Sequence, residues 1–153
     1  MSTNAVIAEP VGKEGKAFRG RPLHWDGYPT WAGRIIHAIV KRDGVEKARQ
    51  VLLHDNTYWS DIDTDNDGTR RPHSDDDRFS AVKGYGIAGP GQGVGQDDWI
   101  TTNTDWWGGV YAYVIGDTAL LIYTSGRPDK VVATVEWSKD NDKVNWQRIE
   151  DNA

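Results

Sequence analysis

The run from Val110 to Thr124 leaves this chain little conformational freedom. Val110 to Ile115 is rich in β-branched and aromatic residues, Gly116-Asp117 supplies a two-residue turn, and Thr118 to Thr124 repeats the strand composition. Gly at the first turn position accepts the backbone twist that tight hairpins need, so the segment reads as a β-hairpin. Val131 to Ser138 alternates with bulky strand formers, Ser138 to Lys143 is a polar turn, and Val144 to Ile149 reads as a closing strand. An antiparallel meander is therefore expected over the last third.

Upstream the period changes from two to that of a helix. Thr30 is placed to cap a segment in which Trp31, Ile35, Ala38 and Ile39 share one face, ending at Asp43-Gly44. Asp43 with Glu46 resembles a capping box, and Val45, Ala48, Val51 and Leu52 form the apolar stripe of a second helix. Phe18 to Asp26 reads as a first strand, while Met1 to Lys16 shows no period and reads as a flexible arm. The expected fold class is α+β: an antiparallel β-meander sheet with an N-terminal helical hairpin packed on one face, in a single domain over 17–153 preceded by the arm at 1–16. His54 to Asp77 is polar enough to be mostly loop, and Phe79 to Lys83 and Trp99 to Thr102 read as short strands. Gly84 to Gly95 is too rich in Gly for regular structure, and His37 and His54 read as helix-surface or helix-end residues.

Composition narrows the function classes. A formal charge of -5 with scattered basic residues argues against nonspecific nucleic-acid binding, which rests on basic clusters that neutralise phosphates. The absence of Cys excludes disulfides, thiolate metal sites and cysteine nucleophiles. No apolar run approaches the roughly 18 residues of a membrane span, so a cytoplasmic protein without membrane partners is expected. Eight Trp and six Tyr against two Phe favour half-buried surfaces, because both rings carry a polar handle.

Arg21-Pro22-Leu23-His24-Trp25-Asp26-Gly27-Tyr28-Pro29 concentrates chemistry in nine residues. On an extended backbone His24 and Asp26 share a face, as a general base with its orienting carboxylate or as a pair holding a polar ligand. A buried, satisfied His with a turn-forming Asp is the bland alternative. Arg19, Arg21 and Arg34 flank the motif and could pair with phosphates. Asp105-Trp106-Trp107-Gly108-Gly109 could turn one indole toward a core and leave the other at a rim as a platform for a base or a sugar, with both rings in the core as the alternative. Gly84-Tyr85-Gly86-Ile87-Ala88-Gly89 spells G-x-G-x-x-G, yet Pro90 and further Gly follow where a dinucleotide fold needs a helix, so a flap over a site is the better reading. Asp63, Asp65 and Asp67 before Gly68 match the first half of a calcium loop; the twelfth position is Ser74 rather than Glu, and a solvated acidic loop is the rival.

The run His24 to Pro29, with Arg19-Gly20 before it, Gly33 and Asp43-Gly44-Val45 after it, a Gly-Tyr-Gly segment and a Tyr-rich C-terminal hairpin, resembles a group of small uncharacterised proteins of actinobacteria and their phages. The resemblance implies a host-cytoplasmic setting, where small phage proteins often inhibit or sequester host factors, host-defence components included. Together these features lead to an expectation of non-enzymatic binding or sequestration of a small polar, nucleotide-like ligand through Arg21, His24, Trp25, Asp26, Tyr28, Arg34, Tyr85, Trp106 and Trp107. A solvated acidic loop is the favoured reading of Asp63, Asp65 and Asp67, with a calcium site as the alternative. The alternatives are a hydrolase using His24 and Asp26, with or without a metal, and a protein-interaction module; an aromatic-rich sheet also favours a homo-oligomer.

Overall fold

A computed structural model describes residues 3–69, 79–89 and 96–153. Among them nine strands form one sheet: β1 (Ala5–Val11), β2 (Ala17–Leu23), β3 (Trp59–Ile62), β4 (Ser80–Val82), β5 (Gly86–Ala88), β6 (Ile100–Thr101), β7 (Tyr111–Ile115), β8 (Ala119–Thr124) and β9 (Ala133–Glu136). The order is β4-β5-β3-β2-β1-β7-β8-β9, with β6 beside the first half of β2. β1 runs parallel to β7 and β2 parallel to β3; the other pairings are antiparallel. The sheet is therefore mixed, and the expected antiparallel meander is corrected. The hairpin of β7 and β8 forms, but Ile115 pairs with Leu120 and Gly116 bonds to the Ala119 carbonyl, so its turn is Asp117-Thr118 and not the expected Gly116-Asp117; β9 adds to it, and the meander stops there.

What overturns the meander is β1. The expected arm over 1–16 becomes, from Ala5, a central strand between β2 and β7. Ala5, Val6, Ile7, Ala8 and Glu9 are all buried, so the strand is covered on both faces and shows no alternation of apolar with polar residues. Alternation appears only in which layer each residue enters. Ala5 and Ile7 join Leu23, Tyr113, Ile115, Leu120 and Ile122 beneath the helices, whereas Val6 and Ala8 join Phe18, Ala112, Val114, Leu121 and Tyr123 on the opposite face.

Two helices cover the first face. A π-helical turn (Pro29–Gly33) leads into α1 (Arg34–Asp43), and α2 (Val45–Arg49) runs into a second π-helical turn (Gln50–His54). Ile36, Ile39, Ala48, Leu52 and Leu53 carry the apolar stripe into the core. Gly44, at φ 89°, makes the turn between them and caps α2, so Asp43 is not the capping residue expected of it. Thr30 likewise caps nothing; its backbone N–H and its hydroxyl both donate to Glu150 of α3 (Trp146–Asn152), the helix that stands where a closing strand was expected. His37 is fully buried rather than on the surface: Asn141 donates to its Nδ1 at 3.0 Å, leaving Nε2 to donate to the Glu136 carbonyl at 3.0 Å. Burial lowers its pKa, in keeping with a neutral ring.

The far face is closed by the segment that carries β6, with Ile100 and Trp106 packed over Val6, Phe18 and Tyr123. In the glycine-rich tract Gly86–Ala88 forms β5 where no regular structure was expected, Gly84 and Tyr85 turn into it, and residues 90–95 lie outside the described residues. Gly86, at φ 145°, needs its missing side chain because a Cβ there would lie 2.2 Å from the Asp61 carbonyl oxygen.

Since β1 is covered on both sides, cutting its side chains leaves cavities the sheet cannot collapse around. Ile7→Ala should lower the free energy of unfolding by about 2–5 kcal/mol in urea titrations; a loss within 0.5 kcal/mol or so, the usual effect of a surface change, would place Ile7 outside the core.

Candidate functional site

β2 ends at Leu23, and the nine-residue motif then leaves the sheet. His24 and Trp25 still hang on β3 through backbone bonds to Trp59 and Ser60, but Asp26 adopts φ 57°. That left-handed residue breaks the alternation that would have aligned it with His24. No hydrogen bond joins the two side chains; Asp26 accepts from the Tyr28 hydroxyl at 3.0 Å, which raises the tyrosine pKa, and His24 packs edge-on against Trp25 at 4.7 Å. Trp25 is partly exposed to solvent.

The second left-handed non-glycine residue is Trp107, also at φ 57°. Such a conformation costs a side-chain-bearing residue of order 1–3 kcal/mol and is found where its surroundings enforce it. Here the Asp105 carboxylate accepts from the Trp107 backbone N–H at 3.2 Å, and Gly109 donates to the Trp106 carbonyl at 2.9 Å. Trp106 turns inward against Phe18, while Trp107 stays exposed. One indole inward and one at the rim is one of the two arrangements its sequence allows, although a turn rather than a strand produces it.

Both turns meet at one end of the sheet. Leu23 and Tyr111 both pair with Ala5, so the carboxyl end of β2, the amino end of β1 and the amino end of β7 lie side by side. Residues before Ala5 fasten them: Gly27 donates to the Thr3 carbonyl at 2.7 Å and Val110 to the Asn4 carbonyl at 2.9 Å. The Asn4 side chain reaches the Trp107 carbonyl only at 3.5 Å, the long limit of a hydrogen bond, and its Oδ1 is shielded from solvent without a partner. Of the large hydrophobic residues exposed among the described residues, Trp25 at 44%, Trp107 at 41% and Val110 at 44% sit here; the fourth, Val11, is at the opposite end of β1. Sequence reasoning missed Asn4 because nothing marks the arm as structured.

The remaining expected site residues lie elsewhere. Arg21 is fully buried opposite Ile7, donating to the carbonyls of Leu53 (2.8 Å), Gln96 (3.0 Å) and Asp98 (3.3 Å), with its guanidinium 3.5 Å above the Trp99 ring. It locks the end of the helical layer to the sheet. Arg34 donates to the Thr30 carbonyl and stacks on Trp31. Tyr85 is buried at the α1 terminus, bonded to the Asp43 carboxylate, which Arg42 grips through two further bonds at 2.8 and 3.0 Å. Asp63 accepts from the Asp65 backbone N–H and Asp67 from Thr69, in side-chain turns. No cluster of three or more His, Asp or Glu side chains occurs among the described residues, and Asp75 to Asp77 lie outside them.

An imidazole–carboxylate pair does form, between residues the sequence did not connect. His54 Nε2 lies 3.1 Å from both oxygens of Glu9, which also receives Arg19 at 2.9 Å. Pairing Glu9 with Arg19 follows from the β1–β2 register, so it is legible only once β1 is known to be a strand. Arg19 also lies 4.4 Å from the Trp99 ring, on the same face as Arg21. Among the described residues no helix is long and apolar enough to cross a membrane. Comparison with protein families, curated proteins and solved structures returns no match.

The Arg42–Asp43–Tyr85 cluster makes stability depend on pH at both extremes. Hydrogen bonds from Arg42 and then Tyr85 hold the Asp43 carboxyl at about 2, below its ordinary 3.8, so its contribution is complete above pH 4 and is lost as pH falls toward 2. Burial, then the Asp43 carboxylate, pushes the Tyr85 hydroxyl up to about 12 from 10, so its contribution is complete below pH 10 and is lost between 10 and 12. Asp43→Asn should flatten the acid limb of unfolding free energy against pH, and Tyr85→Phe the alkaline limb; limbs identical to those of the parent chain would mean that the cluster does not form.

Proposed function

We propose that this chain is a non-enzymatic binder of a small polar ligand held at the sheet end between the Trp25–Asp26 and Trp107–Gly108 turns. The observation that carries the reading is Asn4, whose Oδ1 is shielded and unpaired between two turns that each present an exposed indole and a left-handed backbone residue. A buried acceptor without a partner costs about 1–3 kcal/mol, and opening either turn offers it to a donor on a ligand. Strain on both sides of the same acceptor argues for a site rather than a scaffold. In the actinobacterial phage setting that the sequence resemblance implies, such a protein would sequester a host signalling molecule.

A nucleotide is less well supported than a ligand without phosphate. The arginines that favoured it are engaged elsewhere, Arg19 with Glu9, Arg21 with backbone carbonyls and Arg34 with Thr30. A hydrolase remains the second reading, favoured by one observation: the Glu9–His54 pair has the form of a base with its orienting carboxylate, which His24 and Asp26 lack.

Native mass spectrometry of protein purified from its host, before and after denaturation, should release a small molecule. Trp25→Ala and Trp107→Ala should each weaken rebinding of that molecule about tenfold, since stacking on one ring contributes about 1–3 kcal/mol. No released mass, together with unchanged tryptophan emission in host extracts, would sink the reading. Consumption of the released molecule by the wild-type chain but not by His54→Ala would move it to the hydrolase.

A further inference from the structure

β9 is the last strand of the sheet, so among the described residues only its β8 side is paired. Along an antiparallel ladder, residues that exchange backbone bonds with their neighbour alternate with residues that turn theirs away. Trp137 donates to the Thr118 carbonyl, which makes Glu136 opposite Ala119 a pair of the second kind, Val135 opposite Leu120 one of the first, and Thr134 opposite Leu121 again one of the second. The Glu136 carbonyl is taken by the His37 ring. Thr134 is left with its N–H and its C=O both directed away from β8.

A hollow of about 320 Å³ lies beside Thr134, between β9 and α3, at the small end of the roughly 300–1,000 Å³ spanned by ligand pockets. Val132, Val144 and Ile149 give it half-buried apolar walls, and Lys139 and Arg148 stand exposed along it. The neighbouring acids are engaged elsewhere: Glu150 accepts from Thr30, Asp151 from Gln147 and Asp140 from the Asp142 backbone N–H. Val135 enters the core beneath the helices, which puts Glu136 on the opposite face of the strand. Among the described residues neither Lys139 nor Arg148 has a carboxylate within ion-pair distance.

One groove thus combines an open strand edge, an apolar hollow and two cations. An extended chain is recognised by such a combination, because its backbone pairs with the edge while alternate side chains enter the pocket beside it. We infer that the β9 edge receives an extended acidic segment of another protein, which adds a strand beside Thr134, sets a β-branched side chain against Val132, Val144 and Ile149, and turns a carboxylate toward Lys139 and Arg148. A second copy of this chain fits less well. Pairing two β9 edges about a two-fold axis would put both α3 helices on the same face and set one cationic groove against another. The groove is separate from the sheet-end site beside Asn4, and neither needs the other.

The test is selection from a yeast-displayed library of random peptides on the full chain, followed by fluorescence anisotropy with the enriched peptide and sedimentation of the chain alone. Enriched sequences should combine Asp or Glu with Val, Ile or Thr, and their affinity should fall as salt rises, because exposed ion pairs are screened. Arg148→Glu should weaken binding about tenfold. Thr134→Pro removes the outward N–H and no bond to β8, so it should weaken binding about tenfold or more with the melting temperature nearly unchanged. Should that variant fold poorly, a peptide methylated on the backbone nitrogens that would face β9 puts the same question to the parent chain, and it should not bind. No enrichment, or enrichment of basic sequences, would overturn the acidic partner. Binding indifferent to Arg148→Glu, to Thr134→Pro and to methylation would overturn the location. A dimer of the chain alone that Thr134→Pro dissolves, with no peptide bound, would give the edge to a second copy and overturn the assignment to another protein.

Discussion

The architecture depends on burying β1 on both faces. A strand covered on one side can end a sheet or tolerate slippage, but Ala5 to Ala8 fill two separate cores at once, so a one-residue shift would exchange the contents of both. That double constraint fixes β2 on one side and β7 on the other, and with them the relative position of the helical layer and the layer closed by Ile100 and Trp106. Arg21 completes the arrangement. Its guanidinium is buried where the helical layer ends, and it is tolerated there because three carbonyls and an indole face surround it.

The distribution of polar chemistry follows from this frame. At one end of the sheet the helix-side cluster of Glu9, Arg19, His54 and Trp99 is internally satisfied, every charged group facing a counter-charge or a ring. At the other end the bonding is incomplete: Asn4 has a shielded oxygen without a partner and two indoles face solvent. A shielded polar atom without a partner calls for an explanation, and at this end it lies beside two exposed indoles. The contrast between the ends of one strand is the reason the proposed site is placed beside Asn4 and not beside His54.

Elements governed by local chemistry were legible in the sequence. The β7–β8 hairpin is legible in its two strand-forming runs, although its two-residue turn falls at Asp117-Thr118, one place on from Gly116-Asp117, and α1 has its stripe in Ile35 and Ile39. Elements fixed by distant partners were not. β1 offers no alternation because both faces are buried, and the expected strand over Val144 to Ile149 gives way to α3 from Trp146 because Asn145 caps it and Trp146 packs against His37. Candidate residues followed the same rule. That one of Trp106 and Trp107 could stand at a rim was legible, though not which, whereas grouping His24 with Asp26 assumed an extended backbone that the φ of Asp26 interrupts. Arg21 looked like a phosphate ligand because a sequence cannot tell a guanidinium that faces solvent from one that faces carbonyls.

The parallel pairing of Ala5 with Tyr111 carries a kinetic consequence. During synthesis β1 leaves the ribosome long before β7, one of its two neighbours. β1 and β2 can form a hairpin early, but its free edge must wait, unpaired, for β7. Such long-range closure slows folding and leaves a hydrophobic strand edge open to other chains. Nascent copies crowded on one message are thus at greater hazard than the finished molecule, in which that edge no longer exists.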